Sequence, residues 1–345
     1  MEMERCRQMK QETERIEWID RAKGLGILMV MFGHNYLDWK FVFWCYSFHM
    51  ALFFFLSGCT FHYHDNFWKF LKKKTMGLLT PYIFFAVTIA MYNWVSAATH
   101  GNSFDLSDAV LSYLVQIRYT HLWFLPCLFL TEVGTWAVYR ICRKGKGERL
   151  WLIIAIGQIT IFFVYRAWIG VDLPWNADLA VLGMGFVSFG IWYSTKADAI
   201  ISLKCFRGSV VATAALLHLA VSWLAFRAMG SVDWYDDRFG NPVTFLLGAC
   251  TGIFATVLIS KRLSLRGLAC LGANSIVWYG LHRIAIDATF ILYNKLHIVI
   301  VRGSLLSLAL ALVSVAVATV LLIPVNRILN RYVPFLIGRR RQEVR

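Results

Sequence analysis

The sequence predicts an all-α, polytopic membrane protein with about ten transmembrane helices and both termini in the cytoplasm. Four observations carry this. The 345 residues are 58% hydrophobic and only 16% charged, against roughly 45–50% apolar and about 25% charged in a soluble domain. The apolar residues form long runs, each near the ~20 residues a helix needs to cross a bilayer. The runs are continuous rather than alternating, which favours helices over a barrel. Finally, the basic residues between the runs alternate in density from one side to the other.

The runs place spans at residues 23–37, 42–62, 75–98, 121–142, 149–169, 178–194, 208–229, 243–260, 275–294 and 299–323. Residues 1–22 are a charged cytoplasmic segment without an apolar stretch, so no cleavable signal peptide is read there. Residues 23–323 form the ten-helix domain, and 324–345 a basic cytoplasmic tail. With the N-terminus inside, 27 of the 35 Lys and Arg residues fall in six cytoplasmic segments, namely 5–23, 69–74, 140–149, 196–207, 261–266 and 327–345. Seven lie outside (Lys40, Arg118, Arg166, Arg227, Arg238, Lys295 and Arg302), and Arg283 lies within span nine. This is the positive-inside pattern of a multi-pass protein of the cell (inner) membrane.

The net charge of +15 is therefore read as loop lysine and arginine facing anionic membrane lipids, with no nucleic-acid partner. The eight cysteines (Cys6, Cys45, Cys59, Cys127, Cys142, Cys205, Cys250 and Cys270) show no metal spacing. Most read as small apolar packing residues, and no metal is expected. There is no internal repeat, no low-complexity tract and no loop long enough for a second, soluble domain.

Polar groups inside spans are costly and point to function. They are His34, His49, Glu132, Gln158, His218, His282, Arg283 and Asp287. At the helical rise, His34 lies roughly 16 Å beyond Lys23 at the cytoplasmic edge. His49 lies about 10 Å and Glu132 about 16 Å in from the outer edge. His282 and Arg283 lie roughly 10–12 Å from the start of span nine. Four spans thus bring ionisable groups to a similar depth, which predicts one buried polar site between helices.

A neutral His34 can accept the proton of a hydroxyl. Gly26 and Gly33 in the same run allow close approach of backbone or ligand. Glu132 can orient a histidine or neutralise an imidazolium; equally, it can be protonated and simply hydrogen-bonded. Arg283 and Asp287, at i and i+4, can pair. His218 reads as a packing histidine, and a packing role is open for His34 and His49 too.

Several motifs, in order along nearly the whole chain, resemble the acyltransferase-3 family, in particular its fucose 4-O-acetylase-like membrane acetyltransferases. Ile19-Asp20 with Lys23-Gly24 and Gly33-His34 resembles the opening motif, with ten residues between Lys23 and His34. Phe48-His49-Met50, Leu52-Phe53-Phe54 and Leu56-Ser57-Gly58 resemble the second-helix motif. His121-Leu122-Trp123-Phe124-Leu125 resembles the Trp-Phe-Leu segment, and Gly272-Ala273-Asn274-Ser275 through His282 the late motif. The sequence departs from the family pattern at Ala51, where Pro is usual. It departs again before Pro81-Tyr82, where the basic pair falls on Lys74 and Gly77 and so lacks its second base.

The resemblance implies acetyl-CoA, or another short acyl-CoA, as cytoplasmic donor and acyl-donor cosubstrate. It implies a sugar hydroxyl on an envelope or exported glycan, free or lipid-linked, as acceptor. On that basis His34 is the expected general base or acyl-accepting nucleophile, with Glu132 and His49 as orienting or charge-stabilising groups. Lys23, Lys72, Lys73 and Lys74 are expected at the CoA phosphates. Asp20, Trp123, Asn274, Ser275 and His282 are expected to support the site, Asp20 by tying down Lys23 or Arg21.

The outer loops 168–178 and 231–237 mix aromatics with acids, as sugar sites do and as interfacial belts do. The competing readings are a transporter or flippase and a haem protein using His34, His49 or His282 as axial ligands. A transporter usually carries repeat symmetry and Gly/Pro-broken spans in matching halves, and neither is evident in the sequence.

Overall fold

The computed structural model describes residues 2–35, 37–142, 149–201 and 208–339, with side chains of residues 1–16 and 197–201 left aside. The expected loop charges Arg143, Lys144, Lys146, Lys204, Arg207, Arg340, Arg341 and Arg345, and Cys205, lie outside the described residues.

Helices account for most of it. In chain order they are α1 (Glu2–Gly33), α2 (Trp39–Tyr46), α3 (His49–Cys59), α4 (Phe67–Lys74), α5 (Thr80–Thr99), α6 (Leu106–Val115) and α7 (Phe124–Cys142). They continue as α8 (Arg149–Trp168), α9 (Ala177–Ile201), α10 (Gly208–Met229), α11 (Pro242–Arg262), α12 (Arg266–Ala273), α13 (Ser275–Lys295) and α14 (Leu305–Tyr332). Side-chain oxygens start several of them: Asp38 accepts from the Lys40 N–H, Asn66 from Lys69 and Asp105 from Asp108, each at 3.0 Å.

The all-α membrane architecture is as expected. Among the described residues, eight helical units are long and apolar enough to cross a membrane. The other two expected spans correspond to the second half of α1 and to α13, whose apolar character is diluted by the polar residues they carry. Boundaries shift for physical reasons. The first helix stops at Gly33, where Asn35 Nδ2 donates back to the Met31 carbonyl at 2.8 Å. Span two is broken at Ser47–Phe48, so His49 opens α3. Span three begins at Phe67 and passes through a π-helical turn, Thr75–Leu79, before α5. The last span runs from Leu305 to Tyr332 instead of 299–323. The sequence shows no Gly/Pro-broken spans. The structure nevertheless breaks span two at Ser47–Phe48, where neither residue type stands.

In lipid, helices associate through close packing and polar contacts rather than through apolar burial, so small residues mark the tight crossings. α1 is the hub, touching α2, α3, α11, α12, α13 and α14, with Ala22, Ile27 and Met31 fully buried. A Cβ on Gly24 would overlap the Leu268 carbonyl oxygen, and one on Gly272 the Asp20 carbonyl oxygen. α12 is thus seated backbone-to-backbone on the Asp20–Gly24 turn of α1. α3 and α9 cross the same way through Gly58 and Gly190. α8 and α10 are peripheral, mostly exposed at their outer faces.

Candidate active site

Two polar assemblies occupy different levels of the bundle. The first surrounds a cavity of about 500 Å³ lined by His34, His49, His121, Arg283, Asp287 and Asp233 together with Trp123 and several tyrosines. α1 delivers His34 immediately after its last residue, α13 delivers His282 behind it, and a short 3-10 turn, His121–Trp123, delivers His121.

His34 Nδ1 and His282 Nε2 are 2.5 Å apart, with the rings stacked at 4.7 Å and 12°. His121 sits edge-on to His282 at 4.7 Å and to His34 at 6.2 Å. Hydrogen-bond bookkeeping fixes the tautomers. The carbonyl oxygens of Trp278 and Tyr279, at 3.1 and 2.8 Å, can only accept, so His282 Nδ1 carries a proton. A neutral His282 then offers Nε2 as an acceptor, and His34 Nδ1–H donates to it. The remaining lone pair of His34 is on Nε2, in a ring that lines the cavity. By the same logic His121 Nε2–H donates to the Gly280 carbonyl at 3.3 Å, and His49 Nδ1–H to the Cys45 carbonyl at 2.7 Å.

No group of three His, Cys, Asp or Glu placed to hold a metal ion occurs among the described residues.

The second assembly lies about eleven residues, or roughly 16 Å, back along α1 from His34. Lys74 Nζ pairs with Glu132 Oε2 at 2.9 Å, and Ser57 Oγ donates to the other carboxylate oxygen. The π-helical turn after Lys74 widens the helix there, a distortion that frequently accompanies functional sites. The charged neighbours of Lys23 are Asp20, Lys74 and Glu132, and it forms no ion pair of its own among the described residues. Lys72 and Lys73 are exposed on the far face of α4.

The structure therefore sorts the expected residues. It gathers His34, His49 and Trp123 around one cavity, with His282 behind His34. It does not bring Glu132 to any histidine: the Lys74 ammonium and the Ser57 hydroxyl hold it with the lysines. Arg21 pairs with Glu17 at 3.5 Å rather than with Asp20. Burial pushes the Asp20 carboxyl above its ordinary range, with the Lys23 charge opposing. The expected Arg283–Asp287 ion pair does not form among the described residues; Asp287 accepts from the Tyr92 hydroxyl at 3.2 Å instead. Asn274 stands in the break between α12 and α13, donating to the Cys270 carbonyl at 2.8 Å and accepting from Asn330 at 3.3 Å. Ser275, the next residue, starts α13 at that same level. His218 packs elsewhere, bonded to the Trp44 carbonyl at 3.1 Å. Sequence reasoning passed over His121, because it stands at the outer end of its span rather than inside it.

An all-helical membrane bundle thus encloses a histidine-lined cavity, and Lys23 of α1 lies with Lys74 of α4 and Glu132 of α7 at another level. The sequence profile described as the acyltransferase domain of the acyltransferase-3 family matches residues 16–324, and the chain belongs to that family. Neither a curated protein nor a solved structure matches the chain.

Proposed function

We propose that this inner-membrane protein transfers an acetyl or other short acyl group from cytoplasmic acyl-CoA to a sugar hydroxyl on an envelope or exported glycan, free or lipid-linked. The observation that carries the reading is the Nε2 lone pair of His34, fixed by His282 and lodged in a ring that lines the cavity. In this reaction the acceptor hydroxyl gives its proton to His34 Nε2 while its oxygen attacks the thioester carbonyl carbon. The C–S bond breaks, the ester C–O bond forms, and the CoA sulfur takes the proton back from the imidazolium. His282 keeps the imidazole in the productive tautomer and shares the charge it gains.

Lys23 supports the donor assignment. It has no ion pair among the described residues and stands eleven residues, roughly 16 Å, before His34 along the same helical path. Such a cation suits a phosphate. The cavity aromatics Trp123, Trp234 and Tyr235, with the polar groups between them, suit a sugar.

The test is transfer of radiolabel from acetyl-CoA into the envelope glycan fraction by protein reconstituted in vesicles. Wild type is expected to label the glycan and His34→Ala to insert normally without labelling it. Full labelling by His34→Ala would remove His34 from the chemistry. Label trapped on the wild-type protein before acceptor is added, and absent from His34→Ala, would show the same nitrogen acting as nucleophile. Movement of a solute without acyl transfer would turn the reading towards a transporter, which the broken helix at Ser47–Phe48 also suits.

A further inference from the structure

The turn that delivers His121 is built from backbone that side chains seldom tolerate. Gln116, Arg118 and Thr120 have φ of 48°, 46° and 53°. Three alternating non-glycine residues in the left-handed region persist only where their surroundings over-determine them, and such strain gathers at functional sites.

The surroundings here are specific. Asn176, fully buried, accepts from the Arg118 N–H at 3.0 Å and donates to the Gln116 carbonyl at 3.0 Å and the Trp123 carbonyl at 3.4 Å. Gln116, also fully buried, accepts from the Tyr119 N–H and donates to the Tyr82 hydroxyl, each at 2.8 Å. Both ends of the turn are thereby locked.

The side chain of Arg118 reaches further. Its guanidinium pairs with Asp172, with Asp178 at 2.7 Å and with Asp237 at 3.4 Å. Arg166 braces the same carboxylates, at 3.0 Å from Asp172 and 3.6 Å from Asp178, and pairs with Asp237. Asp237 directly follows Asp233-Trp234-Tyr235-Asp236, all four of which line the histidine cavity, as do Thr120 and His121 on the other side. One buried guanidinium thus ties together two walls of the cavity that are more than a hundred residues apart in sequence.

We propose that Arg118 is a positioning residue. It holds the Thr120–His121 wall and the Asp233–Asp236 wall in register, so that an acceptor hydroxyl meets His34 Nε2. This rests on the acyl-transfer reading. A regular turn and an apolar contact would serve stability alone, since a buried ion cluster is weak evidence of stabilisation. What the cluster adds is fixed geometry at the mouth of the site, where small misplacements are costly.

The decisive variants are Arg118→Lys, which keeps the charge and loses the planar fork, and the milder Asp237→Asn, which removes only the link to the second wall. Hydrogen exchange on the reconstituted full-length protein should rise in both peptides 116–124 and 231–240 for Arg118→Lys. For Asp237→Asn it should rise chiefly in 231–240. Labelling of the envelope glycan fraction from radiolabelled acetyl-CoA should fall at least tenfold in Arg118→Lys, while acetyl-CoA affinity stays within twofold of wild type. Exchange rising at one wall only in Arg118→Lys, or donor affinity falling in step with transfer, overturns the proposal in favour of a general structural role. An inert wild type overturns the acyl-transfer reading and this assignment with it. An active wild type with an unaffected Arg118→Lys variant overturns this assignment alone.

Discussion

His34 Nδ1 faces His282 Nε2 at 2.5 Å, and the far nitrogen of His282 is anchored to two backbone carbonyls of its own helix. The pair is a one-way chain of donors that ends in a lone pair on the outer nitrogen of His34. Replacing His282 by Ala frees His34 to adopt the other tautomer and to rotate. Transfer should fall about 10²–10⁴-fold, the usual worth of a positioned acid–base group. His282→Asn, which can still accept from Nδ1, should retain more activity than His282→Ala. Initial rates of acetyl transfer for both variants decide this; equal rates would detach His282 from the tautomer.

Lys23 and the exposed lysines of α4 should separate cleanly. Lys23→Ala is expected to weaken CoA binding about tenfold, within the range of one charge-assisted hydrogen bond. Lys72→Ala with Lys73→Ala should leave it within twofold. Titration of CoA into detergent-solubilised protein gives the comparison. A reversed order would show that the exposed face of α4, not the interior, meets the donor.

Glu132 and Lys74 form a buried ion pair whose breaking leaves one charge without a partner. Such losses cost about 3–5 kcal/mol. Glu132→Gln should therefore lower thermal stability markedly, and Lys74→Met combined with Glu132→Gln should recover part of it. The pH dependence of any residual transfer by Glu132→Gln should match wild type, since Glu132 touches no histidine. A displaced pH profile would restore Glu132 to the histidine site.

Asp233 lies in an outer loop, and burial raises its carboxyl pKa above the ordinary 3.8, against the Tyr235 amide and Arg238. A raised folded-state pKa means that the folded protein binds this proton more tightly than the unfolded chain does. Its contribution is full below the unfolded value and is lost as pH rises through the folded one. Asp233→Asn should therefore gain stability relative to wild type as pH is raised from about 4 towards neutrality. Melting curves across that interval would show it; a gap that narrows with rising pH contradicts the assignment.

The fold was largely legible in the sequence because lipid leaves few options. A continuous apolar run must be a helix, and loop charge then predicts which side it faces. What escaped were the departures from straight spans. The break at Ser47–Phe48 and the π-helical turn at Thr75–Leu79 carry no Gly or Pro at the point of change apart from Gly77. At the π-helical turn the nearby Pro81 has no N–H to give the Gly77 carbonyl four residues back.

The site was half legible. Depth counting put His34, His49 and His282 near one level, because rise along a helix is fixed. Depth says nothing of which way a side chain points around the axis. Glu132 was thus assigned to the histidines although its helix face turns it to Lys74. His121 was passed over because it stands on a short turn at a span's end, where lipid exacts no penalty for a polar group. The Arg118 network was invisible for another reason: its partners Asp172 and Asp237 come from loops and Asp178 from the first turn of α9, and no local pattern announces their meeting.

Lys23 and His34 are borne on a single unbroken helix up to Gly33. Backbone hydrogen bonds therefore set their separation, and no loop can relax it. α1 acts as a gauge. A molecule gripped by charge at one mark and presented for reaction at the other must itself have a matching reach. Inserting one residue between Gly24 and Gly33 lengthens the gauge by only ~1.5 Å but turns His34 by about 100°. That would swing it off His282 and out of the cavity. Molecular length and angular phase are thus read by the same ten residues, and neither can drift without the other.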